Sequence, residues 1–472
     1  MPFSPAYRPQ TLHAELGPEF FDPVRAADFP QTILRHRSQR HAEPLGLGTL
    51  TDAEWVEHFG RFKPLPGSFE TPLALRYHGH QFRSYNPDLG DGRGFLFAQL
   101  RDERGRLLDL GTKGSGQTPW SRRGDGRLTL KGGMREILAT EMLEALGVET
   151  SKSFSLIETG EALMRGDEPS PTRSSVLVRL SHSHIRIGTF QRLAHHEDKV
   201  STEHLLRYSC ANYYPGLQEN DVSVLALRFL EEVQANVARM GAQWMAAGFV
   251  HGVLNTDNIN ITGESFDYGP WRFAPSFNPK FTAAYFDESG LYAFGRQPET
   301  LLWNLTRLAE CLLPLTQADK LEAVLSQFEP IIQREFASAI LRRLGVKSRS
   351  LSDDTRLASA WVKFLIASQA PFEQTFFDWH GGLASQMRAS QSPSASLYAS
   401  AEFEPVFAAL ADYDSSANLD HPYFARSQPC TMLIDEVEAI WSPIAEHDDW
   451  GLFHAKLHKI GEMREAYNQK PA

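Results

Sequence analysis

The hydrophobic period of this chain changes near residue 195, and that change limits what it can fold into. Before it, apolar residues come in short runs separated by glycine-rich connections. FLFAQL (95–100) and LLDLGTK (107–113), either side of the turn DERG, predict two strands, and SSVLVRL (174–180) predicts a third. One helix interrupts them. In MREILATEMLEALGV (134–148), Ile137, Leu138, Met142 and Leu146 fall along one face, and Gly147 suits its end. After about residue 200 long amphipathic patterns take over, at 222–249, 298–313 and 321–345, and the tail from 355 to 468 reads mostly helical. GDEPSPTRSS (166–175) and SQSPSAS (390–396) read as surface loops. The expected class is α+β, a mixed strand-and-helix part followed by a mainly helical one.

Composition narrows the function. The chain has 472 residues, which is roughly two to three domain-sized units. With 42% hydrophobic and 22% charged residues it reads as an ordinary soluble globular protein. A net charge of −11 argues against nucleic acid as the main partner, since the phosphate backbone favours a basic surface. No run of about 18 apolar residues predicts a membrane span. MPFSPAYRPQTLHAELG lacks the basic stretch and apolar core of a signal peptide, so a cytoplasmic location is expected. Cys210, Cys311 and Cys430 are far apart and form no CxxC, so buried free thiols are expected rather than a zinc site. RGD at 165–167 reads as a chance tripeptide.

The chemistry is concentrated in HGVLNTDNINITGESFDYG (251–269). Protein kinases carry H-R-D-L-x-x-x-N followed by D-F-G. Aligned with that pattern, His251 takes the His, Leu254 the Leu and Asn258 the Asn, while Asp267-Tyr268-Gly269 stands for D-F-G. Asn and the later Asp are the metal-holding pair of the template, and both are present. The aspartate that accepts the substrate's proton is replaced by Val253, and a different acid, Asp257, directly precedes Asn258. The metal pair is intact and the base is moved.

The nucleotide side of such a site is also legible. GDGRG (90–94) precedes a strand, as a kinase phosphate loop does, and Gly90, Gly92 and Arg93 are its candidate contacts. Lys113 ends the strand 107–113, and the next helix carries Glu136 near its start, the order of the kinase Lys–Glu pair. Glu141 and Glu144 on that helix are expected on a solvated face. WSRRGDGRLTL (120–130) offers a turn at Asp125-Gly126 among Arg122, Arg123 and Arg127. VRLSHSHIRIGTF (178–190) offers Arg179 and Arg186. His182 and His184 in the same stretch read as structural rather than metal-binding. A cluster of cations in an acidic chain points to a highly charged ligand.

KGSGQTPWSRRGDGR (113–127), HGVLNTDN, DYGPW (267–271) and YAFGRQP with WNL (292–305) together resemble the selenoprotein O family, the bacterial YdiU proteins. These blocks are long and unusual, and the resemblance extends over most of the chain. It implies a protein-kinase-like bilobal fold with a pseudokinase motif set. It implies transfer of AMP from ATP to protein Ser, Thr or Tyr hydroxyls, self-modification included, with UMP from UTP also attributed to bacterial members. Carried over by position, Gly90, Gly92, Arg93, Lys113, Asp125, Gly126, Arg179, Arg186 and Asp267 bind nucleotide. Glu136 supports Lys113, Asp257 is the proton acceptor, and Asn258 and Asp267 hold Mg²⁺ or Mn²⁺. Many members end in a tail with selenocysteine or cysteine, whereas this sequence ends YNQKPA with no cysteine after Cys430.

The expected organisation is an extension and N-lobe over residues 1–195, a helical C-lobe over 196–345 and a helical extension over 346–472. Two rival functions stand beside nucleotidyl transfer. One is a conventional phosphotransferase using Asp257 as a displaced base, and the other is a nucleotide-binding scaffold without turnover.

Overall fold

Alternate side chains of a strand face opposite sides of its sheet, and here different layers cover the two sides. The computed structural model describes residues 3–166 and 168–467. Asp167 of the RGD tripeptide and the terminal NQKPA lie outside the described residues. Seven strands carry the sheet: β1 (Phe21–Pro23), β2 (Ile33–Arg37), β3 (Leu73–Leu75), β4 (Leu96–Arg101), β5 (Leu107–Lys113), β6 (Lys152–Leu163) and β7 (Thr172–Ser181). They lie in the order β1-β3-β4-β5-β7-β6-β2, each antiparallel to its neighbours. Pro9–Gln10 adds to β4 and Leu128–Thr129 to β7, completing a nine-stranded sheet.

Leu108 and Leu110 of β5 and Val176 and Val178 of β7 pack with Trp55, Phe59 and Phe97 on one face. Leu107 and Leu177 pack on the other, against Ile137, Leu138 and Met142 of helix α1 (Leu130–Ala145). The same alternation sends Lys113 and Arg179 to the α1 side, and the register sets Lys113 opposite Leu177 and Arg179 opposite Gly111. Thr129 caps α1 by accepting the Gly132 N–H at 3.1 Å.

The helical part contains α2 (Ile187–His195), α3 (Val222–Ala246), α4 (Gln297–Leu312), α5 (Ala318–Leu325), α6 (Phe328–Leu344), α7 (Ile434–His447) and α8 (Gly451–Ala466), with Lys199–Tyr213 between α2 and α3, and Leu351–Ser368 and several short helices between α6 and α7. No described helix is long and apolar enough to cross a membrane. All three cysteines are free and buried.

Three local expectations need correction. The single helix expected over 321–345 is two, α5 and α6, separated at Ser326–Gln327. The loop expected over 166–175 ends earlier, because Thr172 and Arg173 pair with Leu163 and Ala162 and extend β7. Glu141 and Glu144 are not solvated. Glu144 is buried and pairs with Arg40 at 2.5 Å and Lys152 at 3.1 Å, while Glu141 receives Arg464 of α8 at 2.8 Å.

Burial opposes the charge of Glu144, but Lys152, His41 and Arg40 outweigh it and hold its carboxyl far below the usual range. A depressed carboxyl stabilises the fold above its unfolded-state pKa, and the contribution fades as pH falls below about 4.5. Glu144→Gln leaves Lys152 without its carboxylate partner in a buried place and Arg40 with Glu141 alone. It is expected to cost about 3–5 kcal/mol, read as a lower midpoint in urea at pH 7. The gap to wild type should narrow at pH 3.

Candidate functional site

The α1 side of the sheet supplies one half of a charged cleft. Lys113 Nζ donates to Glu136 Oε1 and, at 2.8 Å, to Asp267 Oδ1. Arg179 Nη1 reaches the same Asp267 oxygen at 3.0 Å and lies 4.0 Å from Glu136 Oε2. Glu136 is 1% exposed, and its Oε2 has no hydrogen-bond partner. Asp267 itself has φ 62°, a left-handed conformation that Asp tolerates better than most residues. Burial works against its charge, but Lys113, Arg179 and Arg186 outweigh it and hold the carboxyl well below the usual range.

Arg186 joins this cluster to the loop that follows α3. Its guanidinium lies between the rings of Tyr77 and Phe266, 4.3 and 5.0 Å from their centroids. Nη1 donates to the Asp257 carbonyl oxygen at 3.0 Å, and Nη2 pairs with Asp91 at 3.4 Å. One buried cation therefore ties the glycine-rich loop to the segment carrying Asp257. The Asp257 side chain is buried, and its Oδ1 has no partner. Burial pushes this carboxyl up to about 6, against the pull of Arg186. Asn258 Nδ2 donates to the Val253 carbonyl at 3.0 Å, which fixes the amide and leaves Oδ1 as its free oxygen.

A short hairpin, Gly79–Gln81 with Ser84–Asn86, covers the Asp257 loop. The His80 N–H donates to Thr256 Oγ1 at 2.7 Å, and Thr256 donates on to Gln191 at 2.5 Å. Gly79 allows the close approach, since a Cβ there would lie 3.1 Å from Asp257 Oδ1.

The glycine-rich loop lies between β3 and β4, with Asp91 accepting the Leu75 N–H. Trp120 packs on Gly90, where an added Cβ would meet its ring at 2.4 Å. Thr118 and Ser121 donate to the carbonyls of Asp91 and Gly92, both at 2.6 Å. Residues 118–121 thus form a cover bonded along the loop. Gly92 is part of this contact, whereas the Arg93 side chain is exposed. Asp125 does not join the Lys113 cluster, because its carboxylate is paired with Arg165 at 2.7 Å. Gly126 is buried and accepts the Gly116 N–H. His184 is held by the buried Asp109, and the His182 ring meets Tyr213 edge to face, so both are structural.

Sequence reasoning missed Tyr77, Asp91, Trp120 and Gly79. Asp91 stands inside the GDGRG stretch and was within reach of it. The others are recruited by long-range packing that no local pattern signals.

Buried cations gathered around a shared carboxylate, beside a glycine-rich loop and an Asp-Asn pair, define a nucleotide-handling transferase. A family model described as "Protein adenylyltransferase SelO" matches residues 4–461. The chain belongs to this family of protein adenylyltransferases. The "Protein nucleotidyltransferase YdiU" of a Synechocystis species is 44% identical over 468 residues, covering 94% of this chain and 96% of the relative. Its namesakes in Gloeobacter violaceus and Trichodesmium erythraeum are 45% and 42% identical, covering 96% and 94% of this chain and 94% and 96% of the relatives.

Proposed function

We propose that this chain transfers AMP from ATP to Ser, Thr or Tyr hydroxyls of proteins, itself included, and releases pyrophosphate, with UMP from UTP as a second donor reaction. The observation that carries this reading is the depth of the cations. Lys113 and Arg179 meet at Asp267 beneath the sheet, and Arg186 is buried beside Asp257. Attack at the α-phosphorus expels pyrophosphate, so negative charge develops on the β- and γ-phosphates. Cations fixed in a buried cleft stabilise that charge without reorganising.

In this reading the chain has a kinase-like bilobal organisation, with residues 1–195, 196–345 and 346–472 as N-lobe, C-lobe and helical extension. Gly90, Gly92 and Arg93 face the nucleotide. Lys113, held by Glu136, binds phosphate together with Arg179 and Arg186. Asp125 and Gly126 contact the nucleotide once Asp125 leaves Arg165. Asp257 accepts the proton of the attacking hydroxyl, and its Oδ1, lacking a partner, is free to do so.

Asn258 and Asp267 suit Mg²⁺ or Mn²⁺. Their free donors are an amide oxygen and an ionised carboxylate, the hard ligands such cations take. Among the described residues no group of three or more His, Cys, Asp or Glu could hold a metal, so Asn258 and Asp267 would hold the ion only together with oxygens from outside the protein. When bound, the ion supplies neutralisation of phosphate charge.

The test uses purified chain with Mg²⁺ and ATP labelled at either the α- or the γ-phosphate. Label is expected in protein from the α-position, with one pyrophosphate released per AMP transferred. Label from the γ-position alone would identify a phosphotransferase with a displaced base. Nucleotide binding without either label would identify a scaffold. A UTP arm with Mn²⁺ tests the second donor.

A further inference from the structure

The acceptor side of the cleft carries an aromatic surface that the chemistry so far does not use. The hairpin covering Asp257 turns at Phe82 and Arg83, with Gln81 paired to Ser84. Both turn residues have positive φ, 50° and 63°. Such two-residue turns favour Asn-Gly, because L side chains rarely adopt that backbone. Here they are a phenylalanine and an arginine, and the phenylalanine is 39% exposed. A strained turn that presents an aromatic ring to solvent is a feature found at functional sites.

The ring is not alone. Phe286 lies 5.8 Å from Phe82, and Tyr285 lies 5.2 Å from Phe286, measured between ring centroids. They are 46% and 83% exposed. Their loop is held in place by the buried Asp287, whose carboxylate accepts the N–H groups of Leu291 and Tyr292, both at 2.8 Å. These bonds order the backbone directly after the aromatic pair, which lowers the ordering cost when the patch binds.

It also adjoins the reacting loop. The Phe82 N–H donates to Asn255 Oδ1 at 3.1 Å, and the same oxygen accepts Tyr292 Oη–H at 2.8 Å. Asn255 is two residues before Asp257. Gly252, on the other side of Val253, packs against Ala283 of the loop that carries Tyr285. The aromatic patch therefore lies against both ends of the segment 252–255 that leads into Asp257.

We propose that Phe82, Tyr285 and Phe286 form the docking surface for the acceptor protein, and that they take an aromatic or branched aliphatic side chain a few residues from the modified hydroxyl. This rests on the reading that the acceptor is a protein hydroxyl, but not on which phosphate of ATP is transferred. Exposed aromatics beside a reacting centre are the anchors that dominate protein recognition.

The test presents a degenerate peptide library with a fixed Ser, Thr or Tyr, and ATP labelled at both the α- and γ-phosphates with distinguishable isotopes. Whichever label enters the peptides reads the docking preference. Labelled peptides from wild type are expected to be enriched in apolar residues near the hydroxyl. Phe82→Ser/Tyr285→Ser/Phe286→Ser is expected to lose that enrichment and to raise KM for an apolar-flanked peptide about tenfold, with ATP affinity and Tm unchanged. Tyr285→Ser/Phe286→Ser, which leaves the strained turn alone, is expected to lose part of it.

Labelling without apolar preference, or a preference that survives the triple substitution, would overturn the docking surface and leave the transfer reaction standing. Label from the γ-phosphate with the preference intact would support the surface and overturn the AMP reading. No label on any peptide would overturn the surface. Sedimentation at assay concentration covers the remaining occupant: a wild-type dimer that the triple substitution makes monomeric would assign the patch to self-association and overturn the proposal.

Discussion

Asp267→Asn is expected to reduce transfer of α-label from ATP on the order of 10³-fold. The substitution keeps the shape of the side chain and removes its charge. Two consequences of that loss separate cleanly. Asp267 is the proposed carboxylate ligand of the metal, so metal-dependent transfer should fall. It is also the shared partner of Lys113 and Arg179. Without it those cations face the cleft with only Glu136 to neutralise them, and the positive potential there rises. ATP binding measured without divalent metal should therefore tighten, while its enhancement by Mg²⁺ should disappear. A merely destabilised cleft would weaken both. Transfer within tenfold of wild type would show that Asp267 does not hold the metal. Loss of metal-free binding together with transfer would show that its role is structural.

Much of this cleft was legible because its elements follow local rules. The strands around Lys113 and Arg179 have uninterrupted apolar runs, and a period of two determines which side chains share a face. The helix bearing Glu136 shows its buried stripe directly, though it starts at Leu130, four residues earlier than the pattern suggested. What was not legible depends on partners distant in the chain. β6 reads KSFSLIETGEAL, with serine, threonine and glutamate where a buried strand is usually apolar. Those groups are satisfied from other elements: Ser155 accepts Trp55 Nε1–H at 2.9 Å, and Glu158 accepts both Arg35 and Arg173 at 2.7 Å. Glu144 looked solvated for the same reason, since Arg40 and Arg464 come from opposite ends of the sequence. The hairpin over Asp257 was invisible because its turn uses Phe82-Arg83 rather than the residues that favour its geometry. Asp125 is a further case: its position in the motif is plain, but its ion pair with Arg165, forty residues away, is set by the fold.

Replacing Asp257 by alanine is expected to reduce transfer about 10²–10⁴-fold, the usual contribution of a positioned general base, without weakening ATP binding. One oxygen of this carboxylate has no partner inside the fold. Arg186 bonds the backbone carbonyl of Asp257 rather than its carboxylate, so the substitution leaves that cation anchored. The packing of Gly79 against Oδ1 limits how far water can replace the lost group. The stronger discrimination comes from restoring an acid at the kinase position. If the reacting hydroxyl approaches as in nucleotidyl transfer, Val253→Asp in the Asp257→Ala background should leave α-label transfer as low as before. Recovery of α-label would mean that the two positions are interchangeable and that the displaced base carries no geometric meaning. Recovery of γ-label would mean that the cleft holds ATP in the phosphotransfer orientation, and the deep cations would then need another explanation. The double variant thus tests position rather than mere acidity, because both chains carry one aspartate in the same loop and differ only in where it stands.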